Sequence, residues 1–403
     1  MADSQEHPEM ARAPVTAARP RLDSVDLLRG LIMVLMALDH TRDFFTNVPY
    51  DPLDLTQTSP ALFMTRWLTH YCAPVFIFLA GAGASLSRIR GKGVKELSWF
   101  LLTRGVWLAF LEVTWVNCLG WSFNFDLRQV GVGVLWAIGW SMVVLAGLIW
   151  LPVRAVGAFG IALILLHNLT DGIKPAQFGS FAWLWTILHS PGTLYRAPGW
   201  SYQVGYVLIP WMGVMAAGYA FGHVYAWDAA KRKRWLVRAG LAVTAAFVVI
   251  RGINHYGNPR PWGPQDGLLN TLFAFVDCHK YPPSLDYVLM TLGPALIVLA
   301  LLEKGTPKIL EPFLVFGRVP LFYYLLHLPM LHGMAVLVAL ARHGRADWLF
   351  HSPFTDAKPP PDAGFGLSGV YFFWLLAVVM LYPVCRWFAG VKARRRDPWL
   401  SYF

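Results

Sequence analysis

Arg29 and His40 stand eleven positions apart in the stretch Ser24-Val-Asp-Leu-Leu-Arg29-Gly-Leu-Ile-Met-Val-Leu-Met-Ala-Leu-Asp39-His40. On one helix that spacing is about three turns, so both side chains share a face about 16 Å apart along the axis. A guanidinium matches the oxygen geometry of phosphate groups. An imidazole, whose unperturbed pKa is about 6.5, becomes a general base at neutral pH when a carboxylate orients it. Asp43 and Glu112 are the candidate orienters of His40. Asp39 projects about 100° away from His40 and is expected to meet another helix.

The other polar residues inside apolar stretches extend this set. His70 follows Arg66 by one turn and precedes Pro74, which would free a backbone carbonyl beside it. Glu112 comes late in its apolar run, Arg251 ends another with Asn254 and His255, and His327 follows Tyr323 and Tyr324 by about one turn. An ionised group at the centre of a membrane helix costs on the order of 2.5–3.5 kcal/mol, so such residues are functional candidates by default. The catalytic candidates are His40, Asp39, His70, Glu112 and His327, and most of the buried titratable groups are expected at a similar depth in the outer half. Arg29, Arg104 and Arg318, near the opposite ends of their runs, are candidates to hold the phosphates of a cofactor. Membrane anchoring is explanation enough for Arg88, Arg90, Lys92 and Lys95 in the adjoining loop. No metal is expected, because a single-helix His-x-x-x-His or Glu-x-x-His motif is lacking, and His327 and His332 point in different directions.

These residues must be positioned by a membrane. Of 403 residues 56% are hydrophobic and only 14% charged, with mean hydropathy +0.46, against about 25% charged in soluble domains. The formal charge of +11 sits between apolar runs, as in loops facing the cytosol, which excludes nucleic acid as the partner. The fold class is therefore all-α: a polytopic transmembrane helical bundle of about ten spans, at residues 25–45, 62–86, 99–119, 129–151, 153–169, 203–225, 235–255, 285–302, 313–340 and 367–388. With both termini inside, twenty of the 34 Lys and Arg fall in inner segments and nine in outer loops, which predicts an N-in, C-in protein of the cell (inner) membrane.

The chain divides into a disordered cytoplasmic tail (1–20), a ten-helix domain (21–392) and a basic cytoplasmic tail (393–403). Two long outer loops, 168–202 and 257–284, each carry a short apolar piece (181–188 and 268–276) expected to be re-entrant or interfacial, and they should roof a cavity. Cys72, Cys118, Cys278 and Cys385 have no CxxC spacing, so no disulfide framework is indicated; Cys118 and Cys278 are the one pair that could both face outward.

Four motifs carry a family resemblance: Arg21-Leu-Asp-Ser24-Val-Asp26-Leu-Leu-Arg29-Gly30, Ala73-Pro74-Val-Phe-Ile-Phe-Leu-Ala-Gly81, Lys280-Tyr-Pro-Pro-Ser284-Leu and Gly317-Arg318-Val-Pro320-Leu-Phe-Tyr-Tyr-Leu-Leu-His327. They resemble the bacterial heparan-α-glucosaminide N-acetyltransferase-like membrane proteins, and the Arg29 to His40 spacing is similar to that of the acyltransferase-3 proteins. The resemblance implies a transmembrane acyltransferase that takes an acyl (acetyl) group from cytosolic acetyl-CoA and delivers it to a sugar-like or glycolipid acceptor on the outer face. Arg29 and His40 would be its essential pair. A proton-coupled transporter or permease is the other class that a buried His, Asp and Glu set fits.

Overall fold

The computed structural model describes residues 22–305, 307–351, 359–360, 362–395 and 397–403; the tail at 1–20 lies outside them. Helix α1 (Asp23–Phe45) runs unbroken for 23 residues. It is followed by α2 (Pro60–Thr69), α3 (Cys72–Ile89), α4 (Val94–Leu111), a π-helix (Glu112–Ser122), strand β1 (Gln129–Val132), α5 (Val134–Leu148) and α6 (Val153–Leu166). Next come α7 (Ala182–Leu188), the strands β2 (Gly192–Ala197) and β3 (Trp200–Val204), α8 (Ile209–Phe221), α9 (Ala229–Ile253) and α10 (Leu268–Val276). The chain closes with α11 (Leu285–Leu302), α12 (Glu311–Arg318), α13 (Pro320–His343) and α14 (Leu367–Arg394).

Seven helical stretches among the described residues are long and apolar enough to cross a membrane: Pro60–Ile89, Val94–Ser122, Val153–Thr170, Ala229–Ile253, Leu285–Leu302, Pro320–His343 and Leu367–Arg394. The chain is a polytopic helical membrane protein. Three of the ten expected spans fall short of that criterion for different reasons. Helix α1 carries Asp26, Arg29 and Asp39, whereas α5 has only 15 residues and α8 only 13.

Helix α1 is the axis of the bundle, touching α2, α3, α11, α12, α13 and α14. Its approach to α12 is backbone on backbone. A Cβ on Gly30 would overlap the Phe313 carbonyl, and one on Gly317 would overlap the Asp26 carbonyl. Small residues are what let two membrane helices come this close, since apolar burial gives no net attraction between helices already in lipid.

Four prolines, Pro74, Pro294, Pro329 and Pro383, interrupt the helical hydrogen-bond ladder among the described residues, and an aromatic side chain fills the break at the first three. Proline has no N–H for the carbonyl four residues earlier, so Pro74, Pro294 and Pro329 free the carbonyls of His70, Met290 and Leu325. The Tyr287 hydroxyl donates to His70 O at 2.6 Å, the Tyr71 hydroxyl to Met290 O at 3.4 Å, and Trp115 Nε1 to Leu325 O at 2.8 Å. Aromatic side chains thereby tie α11 to the α2–α3 break, α3 to α11, and the π-helix to α13. The expected span 62–86 is thus two helices, broken at His70 and Tyr71, and the expected span 313–340 breaks at Val319, just before Pro320.

A three-stranded sheet of order β1-β3-β2 corrects the purely helical reading. Strand β1 pairs in parallel with β3, and β2 antiparallel with β3. Residues 129–132 and 203–204, expected to open the fourth and sixth spans, lie instead in these strands. Their pairing joins segments some seventy residues apart, which local hydropathy does not encode. The short apolar pieces of the two long loops form α7 and α10, and all four cysteines are free and buried.

The proline bridges can be tested singly. Tyr287→Phe keeps the ring and removes the donor to a buried carbonyl, which should cost about 1–3 kcal/mol. A thermal unfolding midpoint in detergent below that of the wild type is the expected readout.

Candidate active site

Buried charge organises the site. Asp39 sits in α1 opposite α2, where Arg66 Nη1 donates to both its oxygens at 2.7 and 2.8 Å. The Thr69 hydroxyl adds a bond at 2.9 Å, and Arg42 Nη2 lies 3.1 Å away. Both carboxylate oxygens of Asp39 are thus engaged by donors from α1 and α2. Arg42 also donates to Asp43 at 2.8 Å, and Asp43 lies 3.5 Å from His40 Nδ1.

Because Asp39 is turned toward α2, the next residue projects into a cavity of about 450 Å³. His40, Asp39, Asp43, Arg66, Glu112 and Tyr324 line it, together with Lys280 and Tyr281. The His40 side chain is 17% exposed, with the edge of Trp121 5.2 Å from its ring centroid. With Nδ1 turned toward Asp43, Nε2 is the ring nitrogen left to the cavity.

His327 stands behind His40, ring centroids 5.3 Å apart. It is fully buried, and its Nδ1 donates to the Tyr324 carbonyl at 2.6 Å. That bond fixes the Nδ1–H tautomer and leaves Nε2, which has no hydrogen-bond partner, as a lone pair. The backbone carbonyls of Tyr323 and Tyr324, and not their hydroxyls, are what meet the imidazole.

Glu112, the other candidate orienter, lines the same cavity and is held by backbone N–H groups. Its Oε1 accepts from Gly133 N at 2.9 Å and its Oε2 from Leu135 N at 3.0 Å. It caps the start of α5, where the unpaired N–H groups of a helix and its dipole favour a carboxylate. Asp43 is the carboxylate that lies against His40 Nδ1. The π-helix that begins at Glu112 brings Asn117 against β1, with Nδ2 donating to Gly131 O at 3.0 Å and Oδ1 accepting from Gly131 N at 2.9 Å. This pairing gives the cavity wall its strand-like edge.

Two expected members lie elsewhere. His70 is buried at the α2–α3 break with its ring 5.4 Å from that of Tyr287, and it is not among the cavity-lining residues. Arg251 forms a structural clamp, donating to the carbonyls of Phe275, Arg260, Ala274 and Asp277 with Asp286 at 3.8 Å. It holds the long loop between α9 and α11.

Arg29, Arg104 and Arg318 gather at the Asp23 end of α1. Arg29 Nη1 donates to Asp26 at 3.0 Å and to Gly317 O at 3.2 Å. Arg318 reaches Asp23 at 3.3 Å, and Arg104 donates to the Ser401 carbonyl at 3.1 Å.

Lys280 and Tyr281 had no chemical role in the sequence reading, although they open the Lys280-Tyr-Pro-Pro motif. They reach the cavity from the segment between α10 and α11. Burial acts to raise the Tyr281 pKa, but the Lys280 and Arg66 charges outweigh it and hold the phenol below its ordinary value. Arg66 was visible only as a neighbour of His70; its pairing with Asp39 depends on how α1 and α2 face each other.

Fold and site define a class: a polytopic helical membrane protein with a histidine-bearing cavity at one end of the bundle and a cluster of arginines at the other. The heparan-alpha-glucosaminide N-acetyltransferase catalytic family matches residues 21–254, more than half of the chain, and the protein belongs to that family. Membership implies a membrane N-acetyltransferase with acetyl-CoA as the donor. None of the curated proteins matches the chain. The family match ends within the Arg251 clamp, so Lys280, Tyr281, Tyr324 and His327 are contributed by the segment beyond it.

Truncating Arg66 tests the charge clamp. Arg66→Met leaves Asp39 buried with fewer donors, and loss of one partner of a buried pair costs about 3–5 kcal/mol. Pairing Arg66→Met with Asp39→Asn should recover part of the loss, measured as unfolding midpoints of the single and double variants.

Proposed function

We propose that the protein moves an acetyl group from cytosolic acetyl-CoA to an amine or hydroxyl of a sugar-like or glycolipid acceptor on the opposite face of the cell membrane. The observation that carries this reading is α1 itself. It is continuous from Arg29 to His40, about 16 Å along the axis, with arginines at one end and an open imidazole at the other. That length is within the reach expected of an extended pantetheine arm.

The excess of Lys and Arg in the segments between helices supports ten spans with both termini in the cytosol. In that orientation Arg29, Arg104 and Arg318 face the nucleotide and phosphates, and the cavity faces outward. The acceptor attacks the thioester carbonyl while His40 Nε2 takes its proton, with Asp43 orienting the ring. The tetrahedral adduct collapses with loss of the CoA sulfur, which leaves as the thiol once His40 returns the proton. Lys280 and Arg66 supply positive charge near the developing oxyanion.

The cavity is lined at depth by Met36 and Phe76, whereas Met33, one turn further along α1, is packed in the core. The donor arm therefore requires Met33 and its neighbours to part, a motion coupled to donor binding.

Two variants separate the ends of α1. His40→Ala should lower turnover about 10²–10⁴-fold, the contribution of a general base, while CoA affinity by calorimetry stays near that of the wild type. Arg29→Ala should weaken CoA binding by roughly 1.5–3 kcal/mol and retain turnover at saturating donor. Absence of CoA binding by the folded wild type would favour a permease. Unchanged turnover in His40→Ala would remove His40 from the chemistry.

A further inference from the structure

Away from the cavity, the segment after α6 and the end of α7 bring together His167, Asp171 and His189. Each offers a ligand atom, and these atoms all lie within 4.8 Å of one another. His167 is 4% exposed, and neither of its ring nitrogens has a hydrogen-bond partner. A buried imidazole with both nitrogens unpaired is costly unless something else satisfies it. Asp171 shows the same vacancy on one oxygen only. Asn168 Nδ2 donates to Oδ2 at 2.8 Å, which turns Oδ1 inward, buried and without a partner.

His189 Nε2 lies 3.6 Å from that Oδ1, and the ring stacks on Trp185 with centroids 5.2 Å apart. An oriented carboxylate and a stacked imidazole are the outer supports that metal ligands ordinarily have. Two imidazoles and one carboxylate suit a first-row divalent ion, zinc above all, with bonds of about 2.0–2.2 Å and donors about 3.4 Å apart in a tetrahedron. The His189 to Asp171 separation is already near that spacing, and no pair of the three ligand atoms is more than 4.8 Å apart.

We propose that His167, Asp171 and His189 bind one Zn²⁺ ion, with a water in the fourth position on the exposed side of Asp171. His189 Nε2 now lies 3.0 Å from the His167 carbonyl; binding moves its proton to Nδ1 and frees the Nε2 lone pair for the metal. The ion clasps the loop between α6 and α8 to the bundle. Asn168, which orients Asp171, also accepts from Leu285 N at 2.9 Å at the start of α11. Pro191, two residues past His189, lines the catalytic cavity. A metal here would therefore fix the rim of the cavity without touching the reacting groups.

The test uses the full chain, free of a histidine tag, purified in detergent and stripped with a chelator. Titrated with Co²⁺, the wild type should develop the visible d–d absorption of a four-coordinate site at one equivalent. Zn²⁺ should abolish that absorption and raise the unfolding midpoint. Asp171→Asn and His189→Ala should each weaken Zn²⁺ affinity at least tenfold in competition with a chromogenic chelator. Failure of the wild type to bind Co²⁺ or Zn²⁺ at one equivalent would overturn the assignment. So would variants that bind as the wild type does. The wild-type cobalt spectrum decides the matter even if a variant does not fold, and none of these readouts depends on acetyl transfer.

Discussion

The Asp39 carboxylate is largely withdrawn from water at the wall of the cavity, its side chain 14% exposed, and its need for paired donors constrains the rest of the site. Arg66, Arg42 and Thr69 meet it from one side, and the demand for those donors fixes how α1 is rotated against α2. Successive helical residues are turned by about 100°, so docking Asp39 on α2 swings His40 into the cavity. The glycine contact between α1 and α12 fixes the other end of the same helix. A rigid rod held at both ends is what a through-membrane distance needs.

Around that rod, polar groups divide into those already satisfied and those left open. Glu112 is spent on the N–H groups of α5, Arg251 on four carbonyls, and three of the proline-freed carbonyls are met by Tyr287, Tyr71 and Trp115. In low dielectric an unpaired polar group is expensive, so the imidazoles left without partners are informative. His40, with one ring nitrogen toward Asp43 and the other toward the cavity, is such a group. His327 Nε2, in the ring behind His40, and both nitrogens of His167, in the cluster beyond the cavity rim, are others.

The sheet shows how the cavity wall is made in a chain otherwise committed to helices. An α-helix has no free backbone edge, so a strand that joins the lining must find partners elsewhere, and β1 finds them in β3 and in the side-chain amide of Asn117. The π-helix is the local device that aims Asn117 at Gly131. Both features lie at the bundle end that bears His40, where the chain leaves its regular spans and backbone groups become available to a ligand.

Hydropathy by itself determined that this is a polytopic helical membrane protein, because apolar runs of spanning length are a local property of the chain. The Arg29 to His40 face was equally legible, since eleven residues on an unbroken helix leave no freedom in their relation. So was the carbonyl freed by Pro74. The partners were not legible. That Asp39 meets Arg66, that Glu112 caps α5, that His70 and Arg251 stand apart from the cavity, and that residues 129–132 form a strand all depend on contacts between segments distant in sequence. The His167, Asp171 and His189 cluster has the same character, its members 22 positions apart from first to last, with no single-helix motif to announce it. Spacing specifies geometry only within one element; which elements face each other is settled by burial and pairing summed over the whole bundle, and only the tertiary structure carries that sum.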